Sequence, residues 1–231
     1  MVQITWLGHG TFSLRLETGE VYILDPWIEG NPKFPKNYTF NRVDGILVTH
    51  GHFDHIGGVA ELAAKFSPAV LGIYEVAHYL GGQGVKNVTG MNKGGTAAMG
   101  PLRATMTHAI HSSGIVDTDG KMIYAGEAAG YALHFPDGRC AYFAGDTTVF
   151  SDMALIRTLY QPELAFLPIG DLFTMSPKEA RLACELVKPK KVIPMHFGTF
   201  PPLTGTPQQL AELTKGLTEV WALEPGVPVD W

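Results

Sequence analysis

Apolar and polar positions alternate from the first residues of the chain. Val2, Ile4 and Trp6 fall on one parity and Gln3 and Thr5 on the other, the period of a strand with one buried face. The pattern predicts strands over residues 2–7 and 12–17, joined through Gly8-His9-Gly10, and a third from Glu20 to Leu24 ahead of Asp25-Pro26. Ile46-Leu47-Val48 is a β-rich run too short for a helix and reads as a buried strand. The period then changes. From about Gly57, the residues Val59, Leu62, Ala63 and Phe66 recur at i, i+3, i+4 and i+7, one face of an amphipathic helix.

A second helix is expected over residues 73–80, and Val88 to His111 returns to β character. Segments 131–135 and 139–144 flank Pro136-Asp137-Gly138, where Pro presets φ and Gly accepts positive φ, so the pair reads as a hairpin. Ser176-Pro177-Lys178-Glu179 is a capping box with Pro at the first helical position, and Thr206-Pro207-Gln208-Gln209 repeats that logic. Short strands at 164–168 and 192–195 lie between these elements. No linker, repeat or low-complexity tract divides the chain, which reads as a single domain over 1–231 of α/β class with helices outside a sandwich.

Composition narrows the function classes. Hydrophobic residues make up 45% of the 231 and charged residues 17%, enough apolar material for a core and against disorder. Net charge is -5 and no basic run occurs, which argues against nucleic acid or an anionic membrane as partner. Cys140 and Cys184 stand far apart in apolar contexts and read as reduced, buried thiols. With no signal-peptide pattern at Met1-Val2-Gln3 and no apolar stretch near the ~20 residues that span a bilayer, a soluble, cytoplasmic protein is expected. The sequence leaves homo-oligomer formation open. The remaining oddity is nine histidines against 17 Lys plus Arg.

Their spacing explains them. Thr49-His50-Gly51-His52-Phe53-Asp54-His55-Ile56-Gly57-Gly58 follows a short buried strand and precedes a helix. Ordinary packing has no use for three imidazoles and a carboxylate within six residues, whereas zinc, iron, manganese or nickel accept those donors. A loop also lets side chains of different direction converge.

This motif resembles that of the metallo-β-lactamase superfamily, whose fold is a four-layer αββα sandwich with a two-metal site along one edge. Gly145-Asp146-Thr147 resembles the strand end that carries the superfamily's bridging aspartate, and Pro194-Met195-His196 the one that carries its last histidine. LGHGTF at 7–12, HSSG at 111–114, LPIG at 167–170 and PMHFGTFPPLTGTP at 194–207 resemble, more narrowly, metal-dependent hydrolases related to L-ascorbate-6-phosphate lactonase. Phe143, Ala128 and Asp171 depart from that branch, but none of them is an implied ligand. The resemblance implies two divalent ions, Zn first with Mn, Fe or Ni as alternatives. One would be held by His50, His52 and His111, the other by Asp54, His55 and His196, with Asp146 bridging. His111 is preferred to His108, which lies within a strand and should point to the opposite face.

Asp25 reads either as a plain turn aspartate or, as the resemblance implies, as the carboxylate that hydrogen-bonds a ligand imidazole and fixes its tautomer. His9 is read either as a residue at the site's mouth that orients substrate or donates a proton, or as structural. Glu127 is a candidate substrate contact; His78 and His134 are not offered as ligands. The expected chemistry is hydrolysis of a lactone, ester or phosphoester in a small molecule, through a water that two ions hold and ionise near neutral pH. Asp54 or Asp146 would relay the proton. A non-catalytic metal-binding or regulatory protein is one alternative. A flavodiiron-like oxidoreductase is another, although its carboxylate at the second motif position is His52 here.

Overall fold

The computed structural model describes residues 1–231, which divide into two compact units. The first comprises Met1–Asn92, Ser112–Glu127 and Leu223–Trp231, and the second Lys93–His111 and Ala128–Ala222. In chain order the elements are β1 (Val2–Trp6), β2 (Phe12–Leu16), β3 (Val21–Leu24), β4 (Gly45–Leu47), α1 (Phe53–Ile56), α2 (Val59–Phe66), β5 (Ala69–Ile73), α3 (Tyr74–Gly82) and β6 (Val88–Met91). There follow β7 (Thr96–Met99), β8 (Leu102–His108), β9 (Gly114–Val116), β10 (Met122–Tyr124), β11 (Ala129–His134), β12 (Cys140–Phe143), α4 (Met153–Tyr160), β13 (Leu164–Pro168) and α5 (Pro177–Val187). The chain ends with β14 (Lys191–Met195), α6 (Pro207–Leu213), β15 (Glu219–Val220) and β16 (Pro228–Asp230).

The first unit holds a seven-stranded sheet in the order β16-β1-β2-β3-β4-β5-β6, with β9 and β10 as a separate ribbon. Strands β16 to β3 are antiparallel, and β3 to β6 are parallel. That switch shows in the residues. β1 keeps the half-buried Gln3 between buried neighbours, while β3 and β4 are buried throughout, as strands in a parallel region covered on both faces must be. Helix α2 buries Val59 and Leu62, and α3 buries Val76, Ala77 and Leu80.

The second unit repeats the plan. Its sheet runs β15-β14-β13-β12-β11-β8-β7, antiparallel from β7 to β12 and parallel from β12 to β15. The hairpin of β11 and β12 pairs Tyr131 with Phe143 and His134 with Cys140 around Gly138, whose φ of 85° the turn requires. Behind the sheet, Ala180, Ala183, Cys184 and Val187 of α5 join Met153, Ile156 and Leu210 in one buried cluster. Both predicted capping boxes close. Ser176 N donates to Glu179 Oε2 at 2.9 Å, and Thr206 N donates to Gln209 Oε1 at 2.9 Å.

Several elements escaped the pattern. The expected helix 73–80 is α3, but β5 before it went unassigned, because Ala69–Ile73 is a short apolar run of ambiguous period. The β9–β10 ribbon and the edge strands β15 and β16 have too few residues to establish a period, and α4, as long as α2, also went unassigned. Both cysteines are buried and unbridged. No helix is long and apolar enough to cross a membrane.

Candidate metal centre

In each unit the candidate ligands leave the carboxyl ends of strands on one edge, where open α/β sheets place their ligands. In the first unit β3 and β4 run parallel, so the residues after Leu24 and after Leu47 emerge side by side. Asp25 follows β3, and the Thr49–His55 segment follows β4. A single helical turn, α1, sends Asp54 and His55 inward while Phe53 faces solvent.

The hydrogen bonds here fix proton positions. Asp25 is fully buried, with burial pushing its carboxyl above the ordinary value, while the His55 ring and the Thr49 donors pull it back. Thr49 N donates to Asp25 Oδ1 at 2.8 Å, and Thr49 Oγ1 donates to Asp25 Oδ2 at 2.7 Å. A hydroxyl has one proton. With that proton on Asp25, Thr49 Oγ1 is an acceptor toward His50 Nδ1, 2.9 Å away, so His50 carries its proton on Nδ1. His55 Nδ1 lies 2.8 Å from Asp25 Oδ2 and donates to it in the same way. Both imidazoles therefore turn lone-pair Nε2 atoms to the interior.

Those atoms face further candidate ligands. His50 Nε2 is 2.9 Å from His52 Nδ1, and His55 Nε2 is 3.8 Å from Asp54 Oδ2. Two nitrogens ligating one zinc ion at about 2.1 Å in a tetrahedral site lie about 3.4 Å apart, so the His50 and His52 rings have the convergence of a ligand pair. The donor set is that of a borderline divalent cation, and the residues fit one. Within this unit His9, Asp54 and His55 bring ligand atoms within 4.8 Å of one another, as do Asp25, His50 and His55.

His9 is not at a mouth. Its ring is buried at 0% exposure, its Nε2 is 2.9 Å from Asp54 Oδ2, and it stacks edge-on against Trp27 at 5.0 Å. It holds Asp54 rather than facing solvent, and its φ of 56° shows that the backbone is bent to place it.

In the second unit β8 and β12 both run antiparallel to β11, and β12, β13 and β14 are parallel, so β8, β12 and β14 end on one edge. His111, Asp146 and His196 follow those three ends. Asp146 Oδ2 lies 3.0 Å from His196 Nε2 and 3.6 Å from His111 Nε2, so one carboxylate oxygen sits beside both rings. Thr147 stitches two of the loops together: Ile110 N donates to its Oγ1 at 3.0 Å, and Thr148 N donates to Ile110 O at 3.1 Å. His196 has a φ of 55°, and a Cβ on Gly170 would collide with its carbonyl oxygen.

His108 is exposed on β8, with Nδ1 3.0 Å from Lys93 Nζ and its ring against Phe150, away from this group. Glu127 is exposed just after the β9–β10 ribbon. His78 lies on α3 beside Tyr74, and His134 hydrogen-bonds Thr105 at 2.9 Å on β11. Sequence reading passed over Thr49, Ser113 and Thr147, although each adjoins a ligand or lies two residues from one. That adjacency was the available signal.

Two mixed sheets with helices, and histidine and aspartate side chains gathered at their carboxyl edges, define a metallo-β-lactamase type of protein. The family model described as Beta-lactamase superfamily domain matches residues 21–197, and the chain belongs to that superfamily. A UPF0173 metal-dependent hydrolase of Solibacter usitatus is 63% identical over 231 residues, covering 100% of both chains. Another, of Koribacter versatilis, is 49% identical over 226 residues, 97% of this chain and 96% of that one. Among solved structures, a metallo hydrolase of the archaeon Ignicoccus hospitalis superposes with a TM-score of 0.86 at 32% identity, covering 100% and 99% of the two chains.

Proposed function

We propose that the chain hydrolyses a lactone, ester or phosphoester bond in a small molecule, with two divalent ions as cofactors. His50, His52 and His111 would hold one ion and Asp54, His55 and His196 the other, with Asp146 shared; Zn is the first candidate, then Mn, Fe or Ni. When bound, such ions act as Lewis acids on a carbonyl or phosphoryl oxygen and make water a nucleophile near neutral pH.

The observation that carries this reading is the hydrogen-bond chain that links His50, Thr49, Asp25 and His55. With the Thr49 hydroxyl donating to Asp25 and accepting from His50 Nδ1, His50 would ligate through Nε2, and Asp25 would leave His55 to do likewise. A packing histidine gains nothing from that constraint; a ligand histidine requires it. Asp146 Oδ2, between His111 and His196, has the position of a shared carboxylate within its own unit. His9 Nε2 lies 2.9 Å from Asp54 Oδ2 and would hold that carboxylate, and Asp54 or Asp146 would take the proton released by water and return it to the leaving group.

Elemental analysis of protein purified without chelator, joined to a panel of chromogenic lactones, esters and aryl phosphodiesters, tests the reading. The expected result is two ions per chain and turnover that chelator abolishes. Metal-loaded protein inert on every substrate, or turnover unchanged in His50→Ala and Asp146→Ala, would overturn it.

A further inference from the structure

The β9–β10 ribbon stands out because it is apolar on both faces. Ile115 is buried and Ile123 half-buried, as a ribbon packed on its own unit requires. On the opposite face Val116, Met122 and Tyr124 are 61%, 69% and 72% exposed. An exposed apolar ribbon face costs solubility unless something uses it.

Its base is tied to the ligand loop. Gly51 N donates to Ser113 Oγ at 3.1 Å, Ser113 Oγ donates to Ala125 O at 2.9 Å, and Ser112 Oγ is 3.4 Å from His52 Nε2. A Cβ on Gly51 would lie 2.7 Å from Ala125 Cβ and 2.8 Å from Ile115 Cγ1, so ribbon and loop are in direct contact. Met122 leans toward that base. Its Sδ occupies the place, 2.5 Å from an added Cβ, that any side chain at Gly114 would take. Beside His52, Phe53 is a second exposed apolar group, 64% exposed.

Charge points the same way. Residues 43–64, 104–120, 140–156 and 192–214, which carry all seven candidate ligands, contain no Lys or Arg. The ribbon's turn adds Asp117 and Asp119 against Lys121 alone. A phosphorylated substrate would meet no cationic side chain from these segments, where recognition of phosphate normally uses Arg or Lys.

We propose that the outward face of the ribbon, Val116, Met122 and Tyr124, is the subsite for an alkyl or aryl group on an uncharged substrate, so that the bond cleaved is a neutral ester or lactone. The inference rests on the hydrolase reading and narrows it.

Two measurements test it, one independent of turnover. With 13C-methyl methionine, the Met122 signal, assigned by its loss in Met122→Leu, shifts on titration with 2-octanone, a neutral probe that cannot be hydrolysed. In kinetics, kcat/KM for p-nitrophenyl esters rises from acetyl to octanoyl, by at most about fourfold per methylene, and exceeds that for bis-p-nitrophenyl phosphate. Val116→Ser/Met122→Ser/Tyr124→Ser flattens the rise to less than about twofold across the series, by loss of the same apolar contact. An unmoved Met122 signal with an unchanged chain-length dependence overturns the subsite, as does preference for the phosphodiester. A wild-type dimer that the triple variant converts to monomer in sedimentation also overturns it, since a second copy then covers the face. A responding Met122 signal in a metal-loaded protein inert on all esters sustains the subsite and defeats the hydrolase reading.

Discussion

The two units solve one problem in opposite ways. The first takes four candidate ligands from six consecutive residues, His50 to His55, and aims them with a single helical turn and two buried side chains, Asp25 and His9. The second takes three from residues 111, 146 and 196, and relies on strands β8, β12 and β14 ending on the same edge. Local chain geometry does the work in the first unit and sheet register in the second. Damage should therefore follow different routes: side-chain changes disturb the first set, and backbone changes disturb the second.

The largest effect is expected from ligand removal itself. Under the two-ion reading, Asp146→Asn lowers the metal content to one ion or none and turnover by more than the about 10–100-fold that loss of an outer partner costs, because the shared carboxylate serves both ions. Mass spectrometry under native conditions reads the stoichiometry directly. Retention of two ions would separate Asp146 from the centre.

Backbone probes come next. Gly170→Ala forces a Cβ onto the His196 carbonyl oxygen, which cannot rotate away, whereas Gly51→Ala meets the side chains of Ala125 and Ile115. Overpacking costs about 1–3 kcal/mol in general. Thermal unfolding should place Gly170→Ala at or beyond the top of that range and Gly51→Ala within it. The reverse order would contradict the contrast between the two sets.

Outer hydrogen bonds follow. Asp25→Asn removes the acceptor that sets His55, and metal affinity should fall by about 10–100-fold. His9→Gln, which can still donate to Asp54, should lose less than His9→Ala, with both read by competition against a fluorescent chelator. Equal losses would remove His9 from the role of holding Asp54.

The smallest effect lies far from both sets. Burial pushes the thiols of Cys140 and Cys184, both in the second unit, from 9.0 up to about 12. The folded chain therefore keeps two protons that the unfolded chain releases. That contribution is fully present below pH 9 and lost progressively toward pH 12. Melting temperatures of wild type and Cys140→Ala/Cys184→Ala between pH 8 and pH 11 should show the steeper alkaline decline in wild type.

The contrast also explains what could be read without coordinates. The His50–His55 cluster was legible because its chemistry is contiguous, and the capping boxes at Ser176 and Thr206 because each motif is four residues long. His111, Asp146 and His196 became candidates only through likeness to a family, since nothing local in Gly145-Asp146-Thr147 distinguishes a metal ligand from a turn aspartate. His9 stayed open between a mouth and a structural role because its glycine neighbours say nothing of what packs on it. Its burial depends on Trp27 and Asp54, which pattern alone could not bring to it. The β9–β10 ribbon was missed because three-residue strands carry no period.

Two residues of the first unit, His9 and Asp25, and one of the second, His196, hold left-handed backbone with φ of 56°, 43° and 55°. Such a conformation strains a non-glycine residue by about 1–3 kcal/mol, and glycine or asparagine would sit there more easily. Function and foldability thus pull apart at three named positions. A laboratory selection for heat resistance alone would reward relaxing that strain, and the survivors could be sturdier proteins that no longer bind metal. Directed evolution of this chain should score metal retention and melting temperature together.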